Sequence, residues 1–122
     1  MVLVDTSVWV NHFRNSDKRL EKLLLNGEVV CHTHIIGELA RGNIKNRKEI
    51  IPLLLSLPTA SLIEFEEFLY FIQHNQLNGK GIGFVDIHLL ASAQLSQIPL
   101  WTEDKRLMKA ATALDLLYKK SR

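Results

Sequence analysis

Apolar residues follow two patterns along this chain: short continuous runs and longer stretches at helical spacing. Val2-Leu3-Val4 is continuous and rich in β-branched residues, the pattern of a strand covered on both faces. Residues 6–13 then place Val8, Trp9, His12 and Phe13 at helical intervals. Ser16 or Asp17 is set to cap a second helix, with Leu20, Leu23 and Leu24 inward and Gly27 closing it. Residues 28–31 form a second short apolar run. A helix over 34–41 follows, carrying Ile35, Ile36, Leu39 and Ala40 and stopping at Gly42. Residues 46–57 read as helical, with Pro52 either kinking the helix or opening a new first turn.

Beyond Pro58 and Thr59, residues 60–63 suit a brief strand and 64–77 an amphipathic helix built on Phe65, Phe68, Leu69, Phe71 and Ile72. The stretch NGKGIG (78–83) is a glycine-rich loop. It leads into a helix over 84–97 that is small and apolar through Leu89, Leu90, Ala91, Ala93 and Leu95. Residues 98–101 predict a buried strand. Thr102 is placed to cap a helix over 103–111, and 114–118 fits a last strand. Strands alternating with helices define an α/β class, a sandwich around a mostly parallel sheet of roughly four or five short strands. Neither repeats nor a linker interrupt the chain, so residues 1–122 are expected to form a single domain.

Composition narrows the picture by exclusion. At 122 residues, 47% apolar and 23% charged, the chain has enough core to need neither disulfide nor structural metal. Cys31 is its only cysteine, which excludes an intrachain disulfide and a multi-cysteine zinc site. The longest apolar stretch, 50–57, falls well short of the roughly 18 residues of a membrane span. The N-terminus has no basic signal region and carries Asp5, so a cytoplasmic protein with no membrane partner is expected. Net charge is only +2. The basic residues gather as Arg14/Lys18/Arg19/Lys22, Arg41/Lys45/Arg47/Lys48, Lys105/Arg106/Lys109 and Lys119/Lys120/Arg122, and solvated helix faces account for any one group alone.

Four acids change that picture. Asp5 follows the first strand and Asp104 lies just past the 98–101 strand, and ligand sites of open α/β sheets form at such carboxyl ends. Glu38 in HIIGELARG and Asp86 in GIGFVDIHLLASA sit among apolar neighbours, where an unpaired carboxylate is costly. Each has a local explanation: Asp5 as an N-cap, Asp86 as an N-cap or first-turn acid, Asp104 as a first-turn acid, and Glu38 paired with Arg41 or Arg14. If all four converge, like charges within about 4–6 Å raise one another's pKa and the group needs a cation. An oxygen-only set suits Mg²⁺ or Mn²⁺, and Thr6, Ser7 and Thr102 are placed to orient it by hydrogen bonds.

The ordered series VLVDTSVWV, IIGELARG, GIGFVDIHLLASA and LWTEDKRL resembles the PIN-domain ribonucleases, in particular the VapC toxins of bacterial type II toxin–antitoxin pairs, over nearly the whole chain. The resemblance implies a PIN-like α/β/α sandwich and carries Asp5, Glu38, Asp86 and Asp104 over as the catalytic, metal-binding set. It carries Thr102, and Thr6 or Ser7, over as supporting hydroxyls. It further implies Mg²⁺- or Mn²⁺-dependent endonucleolytic cleavage of RNA, often tRNA or rRNA, a homodimer, and a cognate VapB-type antitoxin forming a larger complex. A catalytically silent PIN-like module that binds RNA or protein is the alternative; a phosphoacceptor signalling domain would need an acidic pair after the first strand and a lysine after the last, and this chain has neither.

Further side chains are weighed against ordinary packing. Arg14, Arg41, Lys45, Lys105 and Arg106 lie close in sequence to the acids and are candidates for RNA phosphates. His32 and His34, two apart, are not expected to face the same way on a helix, whereas His34 and Glu38 are. His88 either lies near the site or packs; His12 and His74 read as structural or exposed. NGKGIG lacks nucleotide-loop spacing and serves as a connector or lets backbone approach substrate. Trp9 and Trp101 suit core or dimer packing better than base stacking.

Overall fold

Val2–Val4 (β1), buried at all three residues, is the middle strand of a parallel sheet in the computed structural model, which describes residues 1–119. Lys120 and Arg122 of the last basic group lie outside the described residues. Val29–Val30 (β2) pairs on one side of β1, in the register Val2 to Val29 and Leu3 to Val30. Leu100–Trp101 (β3) pairs on the other, in the register Leu3 to Leu100 and Val4 to Trp101. Both neighbours are parallel, and every strand residue is buried, so helices cover both faces. The α/β class and the parallel sheet read from the pattern hold.

The expected edge strands shrink to single bridges, Cys31 with Thr59 and Leu100 with Leu117, both parallel. Local hydrogen bonding explains this. Cys31 exchanges bonds with Pro58 and Ala60, but His32 already caps the helix that starts at Thr33, so the chain leaves the extended conformation and the ladder stops. At the other edge Leu100 bonds both Leu116 and Tyr118, while Asp115, at φ 57°, breaks the extended run before it.

Seven helices complete the described chain: α1 (Thr6–Asn15), α2 (Lys18–Leu25), α3 (Thr33–Arg41), α4 (Arg47–Ser56), α5 (Phe65–His74), α6 (Phe84–Ser96) and α7 (Lys105–Ala113). Asp17, rather than Ser16, caps α2, accepting from Arg19 N at 2.9 Å. Gly27 takes the left-handed conformation that turns the chain toward β2, at φ 67°. Helix α4 runs unbroken through Pro52, which opens no new turn. The missing N–H leaves the carbonyl of exposed Lys48 to solvent. Helix α6 is buried continuously from Ile87 to Ala93, which is why its sequence shows no amphipathic stripe; it packs against β3 and α5. No helix among the described residues is long and apolar enough to cross a membrane.

The strand order β2-β1-β3 has a functional consequence. From β1 the chain crosses to one side, and later returns on the other, so a crevice opens beyond the carboxyl ends of β1 and β3. Asp5 ends the first strand and Thr102 to Asp104 follow the second. The fold therefore sets side by side two segments nearly a hundred residues apart in sequence.

Candidate active site

Asp5 stands at the centre of this crevice and is buried. It is the N-cap of α1, as its local explanation proposed, yet capping is a minor part of its bonding. The Ser7 amide reaches Asp5 Oδ2 at 3.3 Å, while the hydroxyls of Ser7 and Thr102 donate to the same oxygen at 2.7 and 2.8 Å. Each hydroxyl has a single proton, spent on Asp5, so the 3.3 Å approach of Ser7 Oγ to Thr102 Oγ1 carries no further bond. Their lone pairs instead accept backbone amides, Glu103 N onto Ser7 Oγ at 2.9 Å and Asp104 N onto Thr102 Oγ1 at 3.0 Å. The loop after β3 is thereby pinned to the start of α1.

This bonding corrects one expectation. Thr102 does not cap the last helix; Asp104 does, accepting from Leu107 N at 2.9 Å. Thr102 lies too early in the chain, and its proton is engaged with Asp5.

Glu38, half-buried on α3, accepts from Thr6 Oγ1 at 2.7 Å. The ion pair with Arg41 or Arg14 does not form. Asp86 occupies the first turn of α6, with its carboxylate turned back toward the Gly83 backbone. Burial raises the Asp86 carboxyl, and the negative charges of Asp5, Asp104 and Glu38 raise it further, to about 6; only the Gly83 N–H opposes them. Four acids from distant parts of the chain therefore act on one another. Among the described residues none of them is in an ion pair. Asp5 and Asp104 cap α1 and α7, and Asp86 opens α6, so three helix N-termini direct their positive dipole ends at the same region.

The donor set fits a hard divalent cation: it is all oxygen, negatively charged, and lacks a protein counter-charge. As the side chains stand, no three His, Cys, Asp or Glu groups among the described residues close on one point to enclose an ion. A hard cation of the Mg²⁺ kind keeps several waters and takes one or two carboxylates directly.

Of the basic candidates, Lys105 and Arg106 lie in the first turn of α7 beside Asp104, and Arg41 ends α3 one turn from Glu38, with Lys45 in the loop beyond; all are exposed. Arg106 also donates to the Gly81 carbonyl at 3.3 Å and holds the NGKGIG loop against α7. A Cβ at Gly81, whose φ is 72°, would come within 2.8 Å of that guanidinium. Arg14 is not brought near: it sits in the last turn of α1, roughly 13 Å of helix rise from the Asp5 cap.

The histidines form an arrangement that sequence spacing obscures. His32 is the N-cap of α3 and not a member of it, so its ring lies beside that of His34, at 5.1 Å between centroids. Its Nδ1 accepts the His34 amide at 3.0 Å, so the proton is on Nε2, which donates to Ser92 Oγ at 3.0 Å; Ser92 passes its own proton to the Ser61 carbonyl. Burial, with His34 and His88 nearby, lowers the His32 pKa to about 4. His34 in turn meets His88 at 4.8 Å, and His88 stacks on Phe68 at 4.4 Å and meets Phe84 at 4.7 Å. Phe84 goes unnoticed in the sequence; its spacing of four from His88 is the one signal there. Trp9 and Trp101 are both buried, and Trp101 carries the Arg19 guanidinium over its ring at 5.3 Å, so neither presents a free face to a base. The Cys31 thiol is buried and pushed up to about 11, which makes it inert as a nucleophile.

The PIN domain family model matches residues 2–113, and the chain belongs to that family. It is 46% identical over 114 residues to Ribonuclease VapC32 of two Mycobacterium tuberculosis strains, a match covering 93% of this chain and 91% of that protein. Similarity to Ribonuclease VapC1 of Methanocaldococcus jannaschii is lower, 29% over 109 residues, covering 86% of this chain and 76% of the other. The family resemblance read from the motifs thus holds. Among solved structures, FitAcB of Neisseria gonorrhoeae shares the fold at a TM-score of 0.64 and 20% identity, over 92% of this chain and 94% of that one. PAE2754 of Pyrobaculum aerophilum does so at 0.58 and 17%, over 89% and 78%.

Proposed function

We propose that this chain is a metal-dependent endoribonuclease, the toxin of a type II toxin–antitoxin pair, which hydrolyses RNA phosphodiester bonds at its four-carboxylate site. The observation that supports the reading is the Asp86 carboxyl, raised first by burial and then by the charges of Asp5, Asp104 and Glu38, with none of the four acids in an ion pair among the described residues. The ribonuclease names of the VapC relatives agree with it. The substrate is probed first as tRNA and rRNA, the partner is a VapB-type antitoxin, and the working unit is a homodimer.

Asp5, Glu38, Asp86 and Asp104 are the groups that would hold Mg²⁺ or Mn²⁺. When bound, such an ion polarises a phosphate oxygen and lowers the pKa of water. The chain's own contribution is preorganisation. Ser7 and Thr102 fix the Asp5 carboxylate by holding Oδ2, and Thr6 fixes Glu38. Asp104 is held by its cap, and the amino ends of α1, α6 and α7 favour an anionic phosphate among them. Lys105, Arg106, Arg41 and Lys45 offer charge to phosphates on either side.

The test incubates total RNA with the purified protein in Mg²⁺, in Mn²⁺ and in EDTA, and maps new 5′ ends. Discrete ends that need the metal and vanish in Asp5→Asn and Asp86→Asn are expected. RNA bound but left intact under every condition would instead identify a silent RNA-binding module.

A further inference from the structure

Phe84 opens α6, one residue after the glycine loop, and leaves 58% of its surface exposed. A phenylalanine in the first turn of a helix has neighbours available to cover it, yet here the neighbours only steady it. Phe68, His88 and His34 approach the ring at 4.9, 4.7 and 6.3 Å between centroids, inclined at 45°, 60° and 60°. None of these rings lies flat on it. The ring is thus braced from several sides, with much of its surface open to solvent.

Its location gives that surface a use. Phe84 and Asp86 are two apart on α6 and point to different sides, so the ring flanks the acids and does not cover them. Across the groove, His34 is one turn from Glu38 on the same face of α3, a separation of about 5–6 Å between Cβ atoms. The ring therefore adjoins the row that ends in the acidic cluster. On its other side the glycine loop carries exposed Lys80, and Arg106 is fixed to Gly81. An aromatic surface between a phosphate-cleaving centre and two cations has the chemistry of a nucleobase stacking site.

Resting on the nuclease reading above, we propose that Phe84 is a positioning residue that stacks the base of a nucleotide flanking the scissile phosphate, with His34 and His88 bracing the ring. Stacking on a π-face is tolerant of base identity, so Phe84 would set where the strand lies more than which sequence is cut. Its leverage is orientation, since misplacing a reacting group by an ångström is costly.

The test uses the Asp86→Asn protein, which leaves the strand intact, and measures anisotropy of a fluorescein-labelled, mixed-sequence single-stranded oligoribonucleotide. Phe84→Leu keeps the apolar bulk and removes the π-face; Phe84→Tyr keeps both. Phe84→Leu is expected to weaken binding by roughly ten-fold or more while Phe84→Tyr stays within about two-fold. On an abasic strand of the same length the two variants should bind alike. Equal binding of the base-bearing strand by Phe84→Leu and Phe84→Tyr would overturn the stacking role and leave the nuclease reading standing. Failure of every variant to bind RNA, together with absence of metal-dependent cleavage by the unsubstituted protein, would overturn both. If Phe84→Leu instead converts a sedimenting dimer to a monomer with RNA affinity per chain unchanged, the ring is a contact between copies and the proposal falls.

Discussion

Thr102 donates its hydroxyl proton to Oδ2 of Asp5 across 2.8 Å, although 97 residues separate them. The same hydroxyl oxygen accepts the amide of Asp104 at 3.0 Å, so one side chain fixes both the acid that follows β1 and the backbone of the acid that follows β3.

Thr102→Val keeps the shape of this side chain and removes both bonds. The Asp104 amide then loses its partner and Asp5 one of two hydroxyl donors. Cleavage should fall by about 10- to 100-fold, as for other residues that orient metal ligands, and stability by about 1–2 kcal/mol. Thr102→Ser should restore most of both. Initial cleavage rates and urea melts on the three proteins check this; wild-type rates in Thr102→Val would remove the residue from the site's support.

Asp86 makes the site unfavourable to the fold when no cation is present. Its carboxyl ionises at about 6 in the folded chain against an ordinary value of 3.8, so the folded state binds more protons between those values. By linkage, stability falls as pH rises through that window. At neutral pH in EDTA, Asp86→Asn should raise the Tm by roughly 2–5 °C, a modest figure because the carboxyl is half exposed and screened. Mn²⁺ should raise the Tm of the unsubstituted protein and leave the variant nearly unmoved. A variant less stable than its parent in EDTA would contradict the assigned crowding of charge.

His32 acts with the opposite sign. Its folded pKa of about 4 lies below the ordinary 6.5, so the unfolded chain binds more protons in between. Stability from this group is complete above about 6.5 and lost as pH falls toward 4, a change of order 2–3 kcal/mol for so buried a ring. His32→Asn forfeits the Ser92 link and should cost about 2–4 kcal/mol at neutral pH. The gap between variant and wild type should narrow as the pH is lowered; urea melts across the window measure it. A constant gap would mean that His32 does not titrate there.

The basic residues divide by position. Arg106→Ala and Lys105→Ala, at the start of α7, should each reduce the slope of log affinity against log salt by about one unit for single-stranded RNA. Arg14→Ala, at the far end of α1, should leave the slope unchanged. Anisotropy titrations across a salt series distinguish them, and an effect of Arg14 equal to that of Arg106 would mean the RNA path runs along α1.

Much of the candidate site is legible in the sequence. Asp5, Glu38, Asp86 and Asp104 could be singled out because carboxylates next to buried strands and on apolar helices are costly unless something uses them. What the pattern could not supply was who holds them. Thr102 reads locally as a helix cap, and only the pairing of Val4 with Trp101 brings it to Asp5. His32 and His34 read as helix neighbours facing apart, and only the boundary of α3 one residue after His32 sets their rings together. Trp9 and Trp101, which the pattern assigns to packing in preference to base stacking, are buried, whereas Phe84, which the pattern does not single out, is open.

By itself the sequence determined the element order and the parallel α/β class and singled out the candidate acids, because periodicity, caps and unpaired charge act over a few neighbouring residues. The tertiary structure decided the strand count, the bonding of Asp5, the elevation of Asp86 and the exposure of Phe84. Each of these depends on groups separated widely in the chain, and their energies exist only once the sheet has set its registers.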